Sequence, residues 1–160
     1  MSAVTATRIF SPLQVRRIMV WPSMWETVAE DGQKPEDFRP DVERDCWLSM
    51  TAGETEIGLY LLQQRNGVMV EIHAQVLPEY RKQYSKASGH AALQWILDNI
   101  PDCQKVIAWV PAIYQNVKDF TCSFGFQVEG VNRKSYLKHG ELHDQWLLGI
   151  LRSEIPCPAS

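Results

Sequence analysis

The sequence predicts a mixed sheet with helices, an α+β or α/β domain. Three observations predict it: apolar residues at helical spacing near the N-terminus, three successive strand-like segments from position 46, and two further helical segments that alternate with strand pattern. The 160 residues are the size of one domain. The composition is 45% hydrophobic with six Trp, five Tyr and five Phe, enough apolar surface for a core.

Ser11 followed by Pro12 has the form of an N-cap and a first helical residue, and Val15, Ile18 and Met19 recur at helical spacing behind it. Pro22 and Ser23 restart the chain, and Met24, Trp25 and Val28 indicate a second short helix that Asp31-Gly32 ends. Residues 33–44 are polar with two prolines and read as a loop lying over the domain. From Cys46 the pattern changes. Strands are expected at 46–51, 56–63 and 68–77, with a turn at 52–54, the hairpin signal Asn66-Gly67, and Pro78 as a stop. A helix is expected over 85–99, with Ala91, Ala92, Trp95 and Ile96 as its apolar stripe. A strand at 106–110 ends at Pro111, a helix follows at 114–123, and segments 126–137 and 143–151 form a hairpin turning at His139-Gly140. Residues 1–45 are expected to belong to the same domain as the core at 46–152, with 153–160 a loose tail.

Composition narrows the function classes. A formal net charge of −3 gives no global attraction to nucleic acid or to anionic membranes. No apolar run approaches the ~18 residues of a membrane span, and the first ten residues contain no apolar core of a secretory signal. Cys46, Cys103, Cys122 and Cys157 form no close pair, which fits four reduced thiols in a cytoplasmic protein. His139 and His143 are separated by the turn glycine Gly140, so no metal is assigned, and no phosphate-loop motif of the GxxxxGK[ST] type occurs.

The strand at 68–77 carries the candidate chemistry. Val68, Val70, Ile72, Ala74 and Val76 face one way, and Glu71, His73 and Gln75 face the other. Same-face side chains lie roughly 7 Å apart, so Glu71 and His73 can share a cleft in which one acts as a general base. Beyond Pro78 the small-residue stretch Ser85-Lys86-Ala87-Ser88-Gly89 leads into a helix. A small-residue turn before a helix N-terminus is an anion site, and Arg81, Lys82 and Lys86 add positive charge.

Several stretches, in order, resemble the acyl-CoA N-acyltransferase (GNAT) superfamily. They are Ile57-Gly58-Leu59 followed by Glu71, Leu77-Pro78-Glu79-Tyr80-Arg81 with the small residues after it, Phe124-Gly125-Phe126-Gln127-Val128-Glu129-Gly130, and Arg133-Lys134-Ser135-Tyr136 with the closing hairpin. Together they cover roughly residues 46–152. The combination of Asp31-Gly32, Glu36-Asp37-Phe38-Arg39-Pro40, Glu71-Ile72-His73 and Leu77-Pro78-Glu79-Tyr80-Arg81 is also similar to a small phage-encoded family of the same type, some members of which carry head-assembly labels.

The resemblance implies acetyl-CoA, or another acyl-CoA, as co-substrate and no metal. It implies that the pantetheine arm runs along Ala74, Gln75, Val76 and Leu77, and that the pyrophosphate sits on Tyr84, Ser85, Lys86, Ala87, Ser88 and Gly89 with help from Arg81. Ala87 and Tyr84 replace the family's Gly and Gln/Arg. Glu71 falls at the family's base, with His73 beside it, and a backbone N–H near Gln75 or Val76 would hold the thioester oxygen. Thr121 stands where the family keeps an acidic Tyr, which leaves Tyr114 as proton donor, and Asn116 lies near the family's Asn. Two functions are implied: transfer of an acetyl group to an amine of a protein or small molecule in the cytoplasm (of a host cell, if viral), or an inactive descendant acting by protein contacts in phage assembly or host takeover. Neither calls for nucleic acid or membrane, and the oligomeric state stays open.

Overall fold

The computed structural model describes residues 2–157. In chain order the elements are β1 (Val4–Ile9), α1 (Pro12–Met19), α2 (Pro22–Val28), β2 (Cys46–Ala52), β3 (Thr55–Gln64), β4 (Met69–Val76), α3 (Arg81–Asn99), β5 (Lys105–Pro111), α4 (Gln115–Cys122), β6 (Gln127–Lys138) and β7 (Glu141–Leu151). Short 3₁₀ turns lie at Pro35–Asp37, Pro78–Tyr80 and Arg152–Glu154. The seven strands form one sheet in the order β1-β2-β3-β4-β5-β7-β6. Among the described residues only β4 and β5 pair in parallel.

Period-two alternation divides the apolar residues between the two faces of the sheet. Leu48, Met50, Tyr60, Leu62 and Val70 pack on one side against Ala92, Leu93 and Ile96 of α3. Trp47 and Leu59 pack on the other against Val15, Ile18 and Met19 of α1 and Met24 of α2. Each fully buried aliphatic side chain contributes about 1.5–3 kcal/mol, so the sheet is held from both sides.

Local chemistry explains the element ends. The Ser11 hydroxyl accepts from the Gln14 N–H at 3.2 Å, with Pro12 at the first helical position as expected. The β3–β4 hairpin closes through a four-residue loop in which Asn66 Oδ1 accepts from the N–H groups of Val68 and Met69. His139 and Gly140 both adopt positive φ, 53° and 75°, as a two-residue loop between paired strands requires.

Three expectations are corrected. Residues 4–9 form an edge strand against β2, where no strand was expected. Helix α3 begins at Arg81 and not at Ser85, so Tyr84, Ser85, Lys86, Ala87, Ser88 and Gly89 lie inside a helix and form no turn. The tail is anchored where it starts: Ile155 is buried in the main core, and the Arg152 guanidinium donates to the carbonyls of Leu97, Ile100 and Cys103 at the end of α3. The last three residues of the expected tail lie outside the described residues.

Candidate active site

The parallel pairing of β4 and β5 runs only from Met69 to Glu71 and from Lys105 to Ile107. Beyond Glu71 the strands separate and open a cleft of about 920 Å³. Backbone alternation decides which groups face it. The Leu77 N–H donates to Ile57 of β3 at 2.9 Å, so the main-chain groups of Gln75 also turn toward β3, and those of Ala74 and Val76 turn toward the gap. The Val76 carbonyl is taken by Arg81, whose Nε donates to it at 2.9 Å. The Val76 N–H and the polar main chain of Ala74 remain.

Glu71 stands at the fork, 5% exposed. Its Oε2 accepts from Arg65 Nε at 2.6 Å, and its Oε1 lies 2.9 Å from His73 Nε2. The His73 contact is out of line for a ring N–H hydrogen bond, which makes it an electrostatic contact and leaves Nε2 without a bonded partner. Burial pushes the Glu71 carboxyl up, but the close approach of His73 and the hydrogen bond and charge of Arg65 outweigh that and hold it at about 2. Arg65 was not among the expected site residues. It lies in the hairpin loop, and only the register, with Gln63 opposite Glu71, brings it to the carboxylate.

The structure brings Glu71, His73, Gln75, Val76, Arg81, Ser85, Gly89, Tyr114 and Asn116 to the walls of this cleft. Leu77, Tyr84, Lys86, Ala87 and Ser88 do not line it. Leu77 packs against the second core, Ser88 is fully buried within the helix with no partner for Oγ, and Lys86 and Ala87 point to solvent. Gly89 serves packing as well: an added Cβ would overlap the ring of Phe124. Thr121 also lines the cleft, with its hydroxyl bonded back to the Val117 carbonyl at 2.8 Å.

Sequence reasoning missed Tyr136. It reaches the cleft from β6, 8% exposed, with its ring centroid 6.4 Å from that of Tyr114. Burial, the adjacent Tyr114 and the carboxylates of Glu30 and Asp31 raise its hydroxyl above the ordinary phenol range. Its signal was present in Arg133-Lys134-Ser135-Tyr136, but only strand pairing shows which residue of that stretch turns inward.

Among the described residues no three His, Cys, Asp or Glu side chains cluster as metal ligands. Among them no helix is long and apolar enough to cross a membrane. The four cysteines are free thiols.

A family model described as "Protein of unknown function (DUF2824)" matches residues 28–138. No curated protein matches the chain. Among solved structures, a mutant of spermidine N-acetyltransferase SpeG from Vibrio cholerae superposes with a TM-score of 0.77 at 16% identity, covering 95% of each chain. The same organism's spermidine N-acetyltransferase in complex with CoA and spermine superposes with a TM-score of 0.72 at 17% identity, covering 95% of this chain and 97% of that one. At this identity the likeness is one of fold, and the fold is that of the GNAT acetyltransferases.

Proposed function

The chain belongs to the DUF2824 family, and from its cleft we propose that it is an acyl-CoA-dependent N-acetyltransferase, moving an acetyl group to an amine of a small molecule or protein. The observation that carries this reading is the separation of β4 from β5 immediately beyond Glu71, with Glu71 and His73 at the fork. The fold shared with an enzyme crystallised with CoA and spermine supports it.

The residues divide the work as follows. A carboxyl held at about 2 is a weak proton acceptor at neutral pH, so Glu71 orients and stabilises a charged imidazole, and His73 takes the proton from the acceptor ammonium. The freed nitrogen bonds to the thioester carbonyl carbon, the C–S bond breaks, and the thiolate leaves. The Val76 N–H, facing the gap, receives the developing oxyanion. Tyr114 gives a proton to the sulfur, and the second proton that the nitrogen sheds on becoming an amide restores the tyrosine hydroxyl. The co-substrate fits the strand half of the site, where Ala74 offers backbone partners and Arg81, Ser85, Gly89 and Asn116 form the wall. Its phosphates would meet Arg81 and Lys82 on the first turn of α3 rather than a glycine-rich loop.

Calorimetry with acetyl-CoA and a thiol-release assay test the reading. His73→Ala is expected to lower kcat about 10²–10⁴-fold with acetyl-CoA affinity retained. Absence of acetyl-CoA binding at millimolar concentration overturns it and favours the second reading, an inactive fold acting by protein contacts in phage assembly or host takeover. That alternative draws on the helical state of residues 84–89 and on the Val76 carbonyl already held by Arg81. Either role would be performed in the cytoplasm, a host's if the protein is viral.

A further inference from the structure

We propose that the acceptor is a primary amine that also carries a carbonyl or carboxylate oxygen, an amino-acid-type or peptide-type amine rather than a polycationic polyamine. This rests on the N-acetyltransferase reading and assigns the substrate class of the same site.

A second cavity of about 550 Å³ lies between α2, the segment 32–45 and the β2–β4 face. It shares His73 and Gln75 with the first cleft, so the two meet at the proposed proton-transfer residue. The register sets its floor: Trp47 pairs with Leu61 and Leu61 with His73, one row across three strands, with Leu59 and Gln75 paired in the next row. Phe38 stands edge-on between Trp25 and Trp47, with centroids 5.9 and 6.4 Å away, which gives the cavity aromatic walls.

Three polar atoms of this floor are buried without a bonded partner: His73 Nε2, which faces Glu71, the Trp47 Nε1 donor and the Gln75 Oε1 acceptor. Trp47 is only 3% exposed. An orphan at this depth is unfavourable and calls for a partner that the protein itself does not supply. For Gln75 the orphan is one end of the amide whichever way it is turned. The Trp47 N–H is a donor alone, and a ligand oxygen is a partner that matches it. A fully protonated polyamine carries donors alone and leaves it unpaired. An amine bearing a carbonyl satisfies it and can offer an N–H to Gln75.

Charge points the same way. Lys34, Arg39 and Arg44 line the cavity against Asp37, Asp41 and Asp45, leaving no net charge. Two of the three carboxylates are already engaged. Asp41 Oδ1 accepts from the N–H groups of Glu43 and Arg44, and Asp45 lies 3.5 Å from Arg44 Nε and accepts from Gln63 Nε2 at 3.2 Å. A polycation finds no excess of negative charge here, whereas a zwitterion or a neutral-ended amine is matched.

The test is steady-state kinetics at fixed acetyl-CoA with a free amino acid, an amino-acid amide, a short peptide, spermidine and cadaverine. The oxygen-bearing amines are expected to exceed the two polyamines in kcat/KM by at least roughly tenfold, the worth of one satisfied buried hydrogen bond. Within that group, preference for the free acid identifies a carboxylate acceptor, and preference for the amide or peptide identifies a carbonyl one. Trp47→Phe keeps most of the ring bulk and removes the N–H. It should raise KM about tenfold for the oxygen-bearing amines and leave KM for cadaverine and the affinity for acetyl-CoA unchanged. Preference for spermidine in the wild-type protein, which needs no variant to fold, overturns the inference and leaves the acetyltransferase reading standing, as does an equal effect of Trp47→Phe on all amines. Acetyl-CoA binding with no turnover on any amine, or no binding at all, overturns both.

Discussion

The Glu71 carboxylate is the most constrained charge of the site, with Arg65 on one oxygen and His73 on the other. In the unfolded chain it would titrate near the ordinary value of 4.5, and in the folded protein at about 2. A depressed folded pKa means that the unfolded state takes up a proton first as pH falls. The stabilisation is therefore present above about 4.5 and lost between there and about 2. Its size is on the order of 2–3 kcal/mol, allowing for the 43% exposure of the Arg65 side chain. Urea denaturation midpoints from pH 7 to 3 should fall more steeply for the wild type than for Glu71→Gln, which has no carboxylate to titrate. Parallel pH profiles would show that the ion pair is not what holds this charge. The facing of Glu71 and His73 was legible in the strand's alternation. Arg65 was not, because a loop side chain finds its partner through register, and register depends on the neighbouring strand.

At the scale of elements, α3 shows where sequence reading went astray and why. Ser85 looks like a cap and the small residues around it look like a turn, whereas Arg81-Lys82-Gln83-Tyr84 carries no cap signal. The helix starts at Arg81 all the same, because the 3₁₀ turn Pro78–Tyr80 runs straight into it and the Arg81 N–H donates to the Pro78 carbonyl. Gly89 thereby changes meaning, from a site of ligand approach to a notch for the Phe124 ring. Alanine in mid-helix is favoured over glycine by about 1 kcal/mol, but here its Cβ would collide with Phe124, and overpacking costs about 1–3 kcal/mol. Gly89→Ala is therefore expected to lower stability or leave it level, and Phe124→Leu should restore the alanine variant by making room. A plain gain in Tm for Gly89→Ala alone would show that the ring is free to move aside. The edge strand β1 was missed for a related reason: an exposed edge of Thr, Ala and Arg has little apolar alternation, and its partner β2 supplies the order.

For the whole molecule, the first 45 residues decide whether the sheet has a second side. β1 pairs along its own full length with residues 47–52 of β2, and α1 and α2 cover Trp47 and Leu59. Arg16 donates to the Phe38 and Pro35 carbonyls and so fastens the following segment to α1. The end of α2 is tied to the far hairpin, more than 100 residues away in sequence: the buried Lys138 ammonium donates to the carbonyls of Glu26 and Ala29 at 2.7 Å each, and the Asp31 carboxylate accepts from the N–H groups of His139 and Gly140. These ties join the wall of the second cavity to the strands that carry Tyr136, so we expect residues 1–45 and 46–152 to unfold together. Far-UV circular dichroism and tryptophan fluorescence, which reports Trp21 and Trp25 as well as Trp47, should give coincident urea transitions. A chain beginning at Cys46 would expose Trp47, Leu59 and Leu61, leave an unpaired β2 edge and strand the Lys138 ammonium without its carbonyls, so it should be insoluble or lack a cooperative transition. A soluble, cooperatively folding 46–157 fragment would divide the molecule into two units and detach the proposed acceptor cavity from the catalytic fork.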